Sequence, residues 1–477
     1  MLASSAKATP YRRMVPHPQP CRPDTPVSAL GGLIAVPVAA AAFPETVLRY
    51  RNDRAAAEVG LDGLDDAAWI AHFGRFAPLP GNLPEPLALK YHGHQFRIYN
   101  PQLGDGRGFL FAQLRDRAGR LMDLGTKGSG QTPYSRFGDG RLTLKGAVRE
   151  ILAAEMLEAL GVQTSRALSV IETGEQLTRN DEPSPTRSAV LVRLSHGHIR
   201  IGSFQRLAHA NDADGLHRLT TYALEQYYGE QAGADAPARL LGHVAAGAAR
   251  LAASYIAAGF VHGVLNSDNI NITAESFDYG PWRFAPHFDP QFTAAYFDHA
   301  GLYAFGRQPE AIQWDVVQLA IALSQIAERD ALVTALERFP ASYDAALAER
   351  MLWRLGVIQQ DSAADGALVL ALEQALIDSG ASIDRFFFDW SGGALRDPAR
   401  APAYADEAFA GFRALIAGYR PARDHAHPYW RGEPCSMLID EVEAIWAPIA
   451  EADDWTALYA RIAAIRAMGE ALTGAAK

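Results

Sequence analysis

Cysteine is nearly absent from this chain: two residues, Cys21 and Cys435, in 477. That excludes a disulfide-stapled scaffold, and neither cysteine has metal-ligand spacing around it. Both are expected to be reduced and structurally minor, with a single redox bridge between them as the alternative. Basic residues are also outnumbered, 44 against 54 acidic, for a net charge of −10. Such a balance gives no general attraction to nucleic acid or to acidic membranes, so any anion site has to be built locally. Membrane-length apolar runs are missing too. The stretch from Ala29 to Phe43 follows Arg12, Arg13 and Arg22, but it is interrupted by Pro37 and preceded by Asp24. It is too short for a membrane span, and it is expected to be a tail or an early strand packed on the first lobe. Low-complexity segments and solenoid repeats are likewise absent.

What is present is a globular composition, 49% hydrophobic and 21% charged. The length suits two or three packed units, or one two-lobed enzyme with extensions. The chemistry gathers around a loop that begins at His262-Gly263, contains Asn266-Ser267-Asp268-Asn269, and is followed nine residues later by Asp278-Tyr279-Gly280. Kinase-like enzymes use a loop of the form H-x-D-x-x-x-x-N, in which Asp is the base and Asn a magnesium ligand, and then an Asp-x-Gly that supplies a second ligand. Counting from His262, the ligand position falls on Asn269 and the base position on Val264. The loop keeps its metal ligand and loses its usual base. Asp268 is the carboxylate that remains.

Upstream, Pro101 to Gly108 forms a glycine loop, followed by apolar strands from Phe109 to Leu114 and from Leu121 to Lys127. Gly104, Gly106 and Gly108 permit close backbone approach to a phosphate, and Arg107 adds a guanidinium fork. An amphipathic helix is predicted over 144–160, with Glu150 in its first half. A strand lysine and a helix glutamate in this order are the pieces of the ion pair that holds a lysine against nucleotide phosphates. Between them, residues 128–141 repeat the Gly-Asp-Gly-Arg of positions 104–107, placing Asp139 and Gly140 in a second glycine turn. His92 and His94, two residues apart with no acidic partner, are expected to be hydrogen-bonding rather than metal-binding. Ala167 to Ile171 and Ala189 to Leu194 read as two further strands joined by a polar hairpin loop at 180–183. Arg193, Arg200 and Arg206 follow near the expected hinge, and phosphate binding is favoured for the first two. A helix is predicted over 240–256, and amphipathic helix dominates from Trp314 to the end.

These blocks together carry a resemblance: Gly-His-Gln-Phe at 93–96, Gln-Leu-Gly-Asp-Gly-Arg-Gly at 102–108, the run from Lys127 to Arg141, Arg149-Glu150, Ile-Arg-Ile-Gly-Ser-Phe at 199–204, the loop 262–269 and Phe-Asp-Tyr-Gly-Pro at 277–281. In this order they resemble the selenoprotein O family of kinase-like proteins over residues 91–310. The resemblance implies an α+β, bilobal protein-kinase-like fold, with a small β-rich N-lobe and a larger helical C-lobe. The expected divisions are an N-terminal tail or extension (1–45), the N-lobe (46–195), and a helical C-lobe with a C-terminal extension (196–477). It further implies transfer of AMP from ATP to Ser, Thr or Tyr hydroxyls of other proteins. By position, Gly104, Gly106, Arg107, Lys127, Asp139, Gly140, Arg193 and Arg200 would contact the nucleotide, and Glu150 would pair with Lys127. Asp268 would take the proton, and Asn269 and Asp278 would hold Mg2+ or Mn2+. Partners are then hydroxyl-bearing proteins, not nucleic acid or membrane, with the chain acting as a cytoplasmic monomer. UMP transfer, ordinary phosphoryl transfer and a silent nucleotide-binding scaffold are the alternatives.

Overall fold

The computed structural model describes residues 20–180 and 182–474; Arg12, Arg13 and Asp181 lie outside them. Among the described residues, ten strands precede residue 196. In chain order they are Ala35–Pro37 (β1), Val47–Arg51 (β2), Leu87–Leu89 (β3), Gly93–Gln95 (β4), Ile98–Asn100 (β5), Leu110–Arg115 (β6), Leu121–Lys127 (β7), Leu142–Thr143 (β8), Arg166–Leu177 (β9) and Thr186–Ser195 (β10). Eight of them form one antiparallel sheet in the order β1-β3-β6-β7-β10-β9-β2, with β8 alongside β10. β4 and β5 make a separate hairpin. The apolar stretch after Ala29 therefore contributes β1, whose Ala35 pairs with Leu89 of β3.

Period-two alternation sets the two faces of the sheet. On β10, Val190, Val192 and Leu194 pack with Trp69, Phe73 and Phe111 beneath the helices Asp53–Glu58 and Asp66–Phe73. Ala189 and Leu191 face the other way, into the core around the helix Leu144–Ala159. Arg193 shares that second face, as Lys127 shares it with Leu121 on β7. The sheet thus aims both cations toward the helix that carries Glu150. This helix starts where Thr143 accepts a hydrogen bond from the Gly146 amide at 3.1 Å, and it buries Val148, Ile151, Leu152 and Met156 completely.

β9 and β10 extend beyond the apolar segments read as strands. The added residues are polar but paired: Glu172 of β9 accepts from Arg187 of β10 and from Arg49 of β2. Cross-strand ion pairs stabilise a ladder that hydrophobicity alone does not reveal. After β10 the chain is mostly helical, from Ile201–His209 through Ala236–Ala258 and Gln308–Leu323 to Ile439–Ala452 and Thr456–Thr473. Ala236–Ala258 is long and apolar enough to cross a membrane, yet 78% of its most apolar window is buried inside the fold. The last two helices return to pack against Leu144–Ala159. Cys21 and Cys435 are both free.

Candidate active site

Eleven of the twelve residues singled out in the sequence line one cavity of about 680 Å3. The twelfth, Glu150, stands behind Lys127 and binds its ammonium group. Seven basic side chains face the cavity against four acidic ones, so an anion-favouring site is built inside a chain of net charge −10.

Asp278 is its electrostatic centre. The residue takes a left-handed backbone conformation (φ +64°) just after the buried Phe277. Its Oδ1 accepts from Arg193 at 2.8 Å and lies 3.4 Å from the Lys127 ammonium, and its Oδ2 accepts from Arg200 at 2.8 Å. Burial pushes the carboxyl pKa up, but the three cations outweigh it and hold Asp278 well below the usual carboxylate range. Arg200 is 2% exposed and lies between aromatic faces, its guanidinium carbon 4.4 Å from the Tyr91 ring centroid and 4.8 Å from that of Phe277. It also donates to the Asp268 carbonyl at 2.9 Å, which ties β10's exit to the loop 262–269.

Asp268 behaves differently. Its Oδ1 is buried and has no hydrogen-bond partner among the described residues. Burial raises its pKa to about 7 in spite of Arg200 nearby. The close packing comes from Gly93, where an added Cβ would stand 2.8 Å from Oδ1. A carboxylate poised near neutrality and facing a cavity is suited to accept a proton. Asn269 donates its amide nitrogen to the Val264 carbonyl at 3.0 Å, which orients the side chain across the loop.

The two Gly-Asp-Gly-Arg copies are not equivalent. Asp105, in the first, is tucked under the site, accepting from the Leu89 amide at 3.1 Å and lying 3.4 Å from Arg200. Asp139, in the second, sits at the rim and is bound by Arg179 at 2.8 Å. Both line the cavity: Asp139 was expected there, and Asp105, which the repeat itself could have signalled, joins it. The loops also pack on one another. A Cβ on Gly104 would lie 2.4 Å from the Tyr134 ring, so part of the glycine content serves loop-to-loop approach. Arg107 is exposed at the cavity wall, and its carbonyl accepts from the Gly128 amide at 2.6 Å.

His198, also unanticipated, backs Arg193: its Nε2 accepts from Arg193 Nε at 3.1 Å. Burial lowers the His198 pKa, which keeps the imidazole neutral and able to accept. Arg206 does not reach the cavity; it donates to the Leu33 carbonyl at 3.0 Å. His92 and His94 hydrogen-bond Tyr99 and Gln205, at 2.7 Å each, as their spacing suggested.

The sequence model described as "Protein adenylyltransferase SelO" matches residues 24–398. The chain is similar to a protein nucleotidyltransferase YdiU of Synechococcus elongatus, 48% identical over 76% of this chain and 73% of the relative. A Gloeobacter violaceus protein of the same name is 45% identical over 90% of this chain and 92% of its own length. A Trichormus variabilis one is 39% identical over 95% and 98%. With the family model matching residues 24–398 and relatives up to 48% identical, this chain belongs to the SelO/YdiU family of protein nucleotidyltransferases.

Proposed function

We propose that this chain is a protein adenylyltransferase of kinase-like, two-lobed architecture that moves AMP from ATP to Ser, Thr or Tyr hydroxyls of other proteins. The observation that carries the reading is the convergence of Lys127, Arg193 and Arg200 on Asp278, beside the partnerless carboxylate of Asp268. Val264 at the position of the usual kinase base argues against ordinary γ-phosphoryl transfer. The names of the relatives argue the same way.

In this reading the substrate hydroxyl oxygen attacks the α-phosphorus. A new P–O bond forms, the bond from that phosphorus to the bridging oxygen breaks, and pyrophosphate leaves with the electron pair. Asp268 receives the hydroxyl proton. Arg107, Arg193 and Arg200 bear the charge that spreads onto the polyphosphate, while Glu150 keeps Lys127 in place.

Mg2+ or Mn2+ belongs to the same proposal. Among the described residues no cluster of three His, Cys, Asp or Glu side chains is present. A hard cation of this kind takes one or two protein oxygens and completes its shell with water and phosphate. Asn269, whose amide nitrogen is engaged by Val264 and whose oxygen is left over, and Asp278 would hold it. Phosphate oxygens that draw Arg193 and Arg200 away would release the Asp278 carboxylate for that purpose. A divalent cation held by Asn269 and Asp278 would neutralise phosphate charge and polarise the phosphorus.

The test is incubation with a protein mixture, Mg2+ or Mn2+, and ATP labelled at the α- or at the γ-phosphate. Covalent label on protein from the α position only is the expected result. Label from the γ position only would sink the proposal.

A further inference from the structure

A second cavity of about 510 Å3 shares Lys127, Arg107 and Gly280 with the first and extends along the helix Leu144–Ala159. Its walls carry seven basic side chains against three acidic ones. Four of the seven have carboxylate partners: Lys127 with Glu150, Lys145 with Glu443, Arg141 with Glu175 and Arg179 with Asp139.

Arg107, Arg149 and Arg283 have none among the described residues, and of these only Arg107 also lines the first cavity. Arg149 donates to the Trp282 carbonyl at 3.1 Å, with its guanidinium carbon 4.8 Å from the Trp282 ring centroid. Arg283 donates to the carbonyls of Pro281 and Trp282 at 2.9 Å each. Two guanidinium groups are thus held around one tryptophan by neutral acceptors. They feel each other's charge: burial and then Arg283 push the Arg149 pKa down to about 10. Fixed, half-buried, like-charged forks are pre-organised for carboxylate or phosphate oxygens.

The same cavity is bordered by two exposed aromatics, Tyr296 at 83% and Phe297 at 42% exposure. A small anion such as pyrophosphate makes no use of them. Aromatics beside arginines on an open groove are the makings of a protein-binding surface.

We propose that this groove docks an acidic segment of the protein substrate, with its carboxylates on Arg149 and Arg283 and its flanking side chains on Tyr296 and Phe297. The proposal rests on the reading of the chain as a transferase to protein hydroxyls. It adds a preference to that reading: target hydroxyls lie near Glu or Asp. The shared wall of Lys127 and Arg107 then links the docked segment to the nucleotide cavity.

The experiment measures binding without transfer. The full chain is titrated against a fluorescent peptide of six glutamates and one tyrosine, and against its glutamine counterpart, with anisotropy as the readout. The acidic peptide is expected to bind at least about tenfold tighter, a gain that shrinks with added salt. The Arg149→Gln/Arg283→Gln double variant should lose about tenfold for the acidic peptide, while affinity for a fluorescent ATP analogue stays within about twofold. Because Arg149 also packs on Trp282, a second variant guards against misfolding: Glu443→Gln removes a groove carboxylate and should tighten the acidic peptide about threefold. Equal binding of the two peptides, an unchanged double variant, or an unchanged Glu443→Gln overturns the proposal. So does loss of ATP-analogue binding in a folded double variant, which would assign the arginines to the nucleotide. Failure of α-label transfer would instead sink the activity while leaving the acidic-peptide site standing.

Discussion

Asp268 and Asp278 lie ten residues apart in one loop region, yet the fold gives them opposite acidities. Asp278 meets three cations and is held ionised well below the ordinary carboxylate range; Asp268 has one unpartnered buried oxygen and is raised to about 7. The difference fits the roles proposed for them, since a carboxylate held ionised suits cation binding and one that titrates near 7 suits proton transfer. If Asp268 is the base, it takes up a proton as pH falls through about 7 and loses its capacity for the hydroxyl proton, whereas above that the carboxylate is free. Transfer rate is therefore expected to rise about tenfold per pH unit below 7 and to level off above it. Asp268→Asn should cost about 100- to 10,000-fold in kcat and flatten that profile, with ATP-analogue binding retained. Steady-state rates of α-label incorporation between pH 5.5 and 8.5 (roughly the range in which such a base titrates) check both.

At the scale of elements, the hairpin of β4 and β5 clamps the loop 262–269. The His94 amide donates to Ser267 Oγ at 2.7 Å and the Phe96 amide to Asn266 Oδ1 at 3.1 Å, across 173 and 170 positions of sequence. Asn266 Oδ1 accepts from Tyr303 as well, at 2.7 Å, so one amide joins three segments. Asn266→Ala leaves the Phe96 amide and the Tyr303 hydroxyl without their acceptor. The expected loss is about 1–3 kcal/mol of stability, seen as a lower urea midpoint. The glycine loop, the strands β6, β7 and β10, and the helix carrying Glu150 were legible from local pattern, because alternation and helical periodicity are written in consecutive residues. The hairpin was not. Its strands are three residues each, too short to show an alternation, and what secures them is a loop far away in the chain.

Across the whole molecule, the C-terminal helices brace the site from behind. Arg466, in the helix Thr456–Thr473, donates to both oxygens of Glu155, at 2.6 and 2.8 Å, on the helix that also bears Glu150. Glu155 is 4% exposed, and Tyr50 completes its shell at 2.8 Å. Arg466→Ala strands a buried carboxylate, and the cost is expected to be about 2–3 kcal/mol, since other donors remain. Denaturant unfolding measures it, with a parallel decline in transfer if the helix shifts Glu150. In the sequence these last residues read only as amphipathic helix, with no chemistry. Their role comes from where they pack.

The amino-acid order by itself determined which residues meet at one cavity: Lys127, Asn269, Asp278 and the two glycine turns, with Glu150 behind Lys127, belong to motifs that are each local, and local pattern survives folding. Tertiary structure alone decided how those residues are charged and where each of two like motifs sits. Asp105 rather than Asp139 reaches Arg200, and Arg149 and Arg283 stand without carboxylates. The physical reason is that burial and neighbouring charge set a side chain's chemistry, and both are supplied by residues far along the chain: Arg193 and Arg200 lie 85 and 78 positions from Asp278, and Arg200 lies 95 from Asp105.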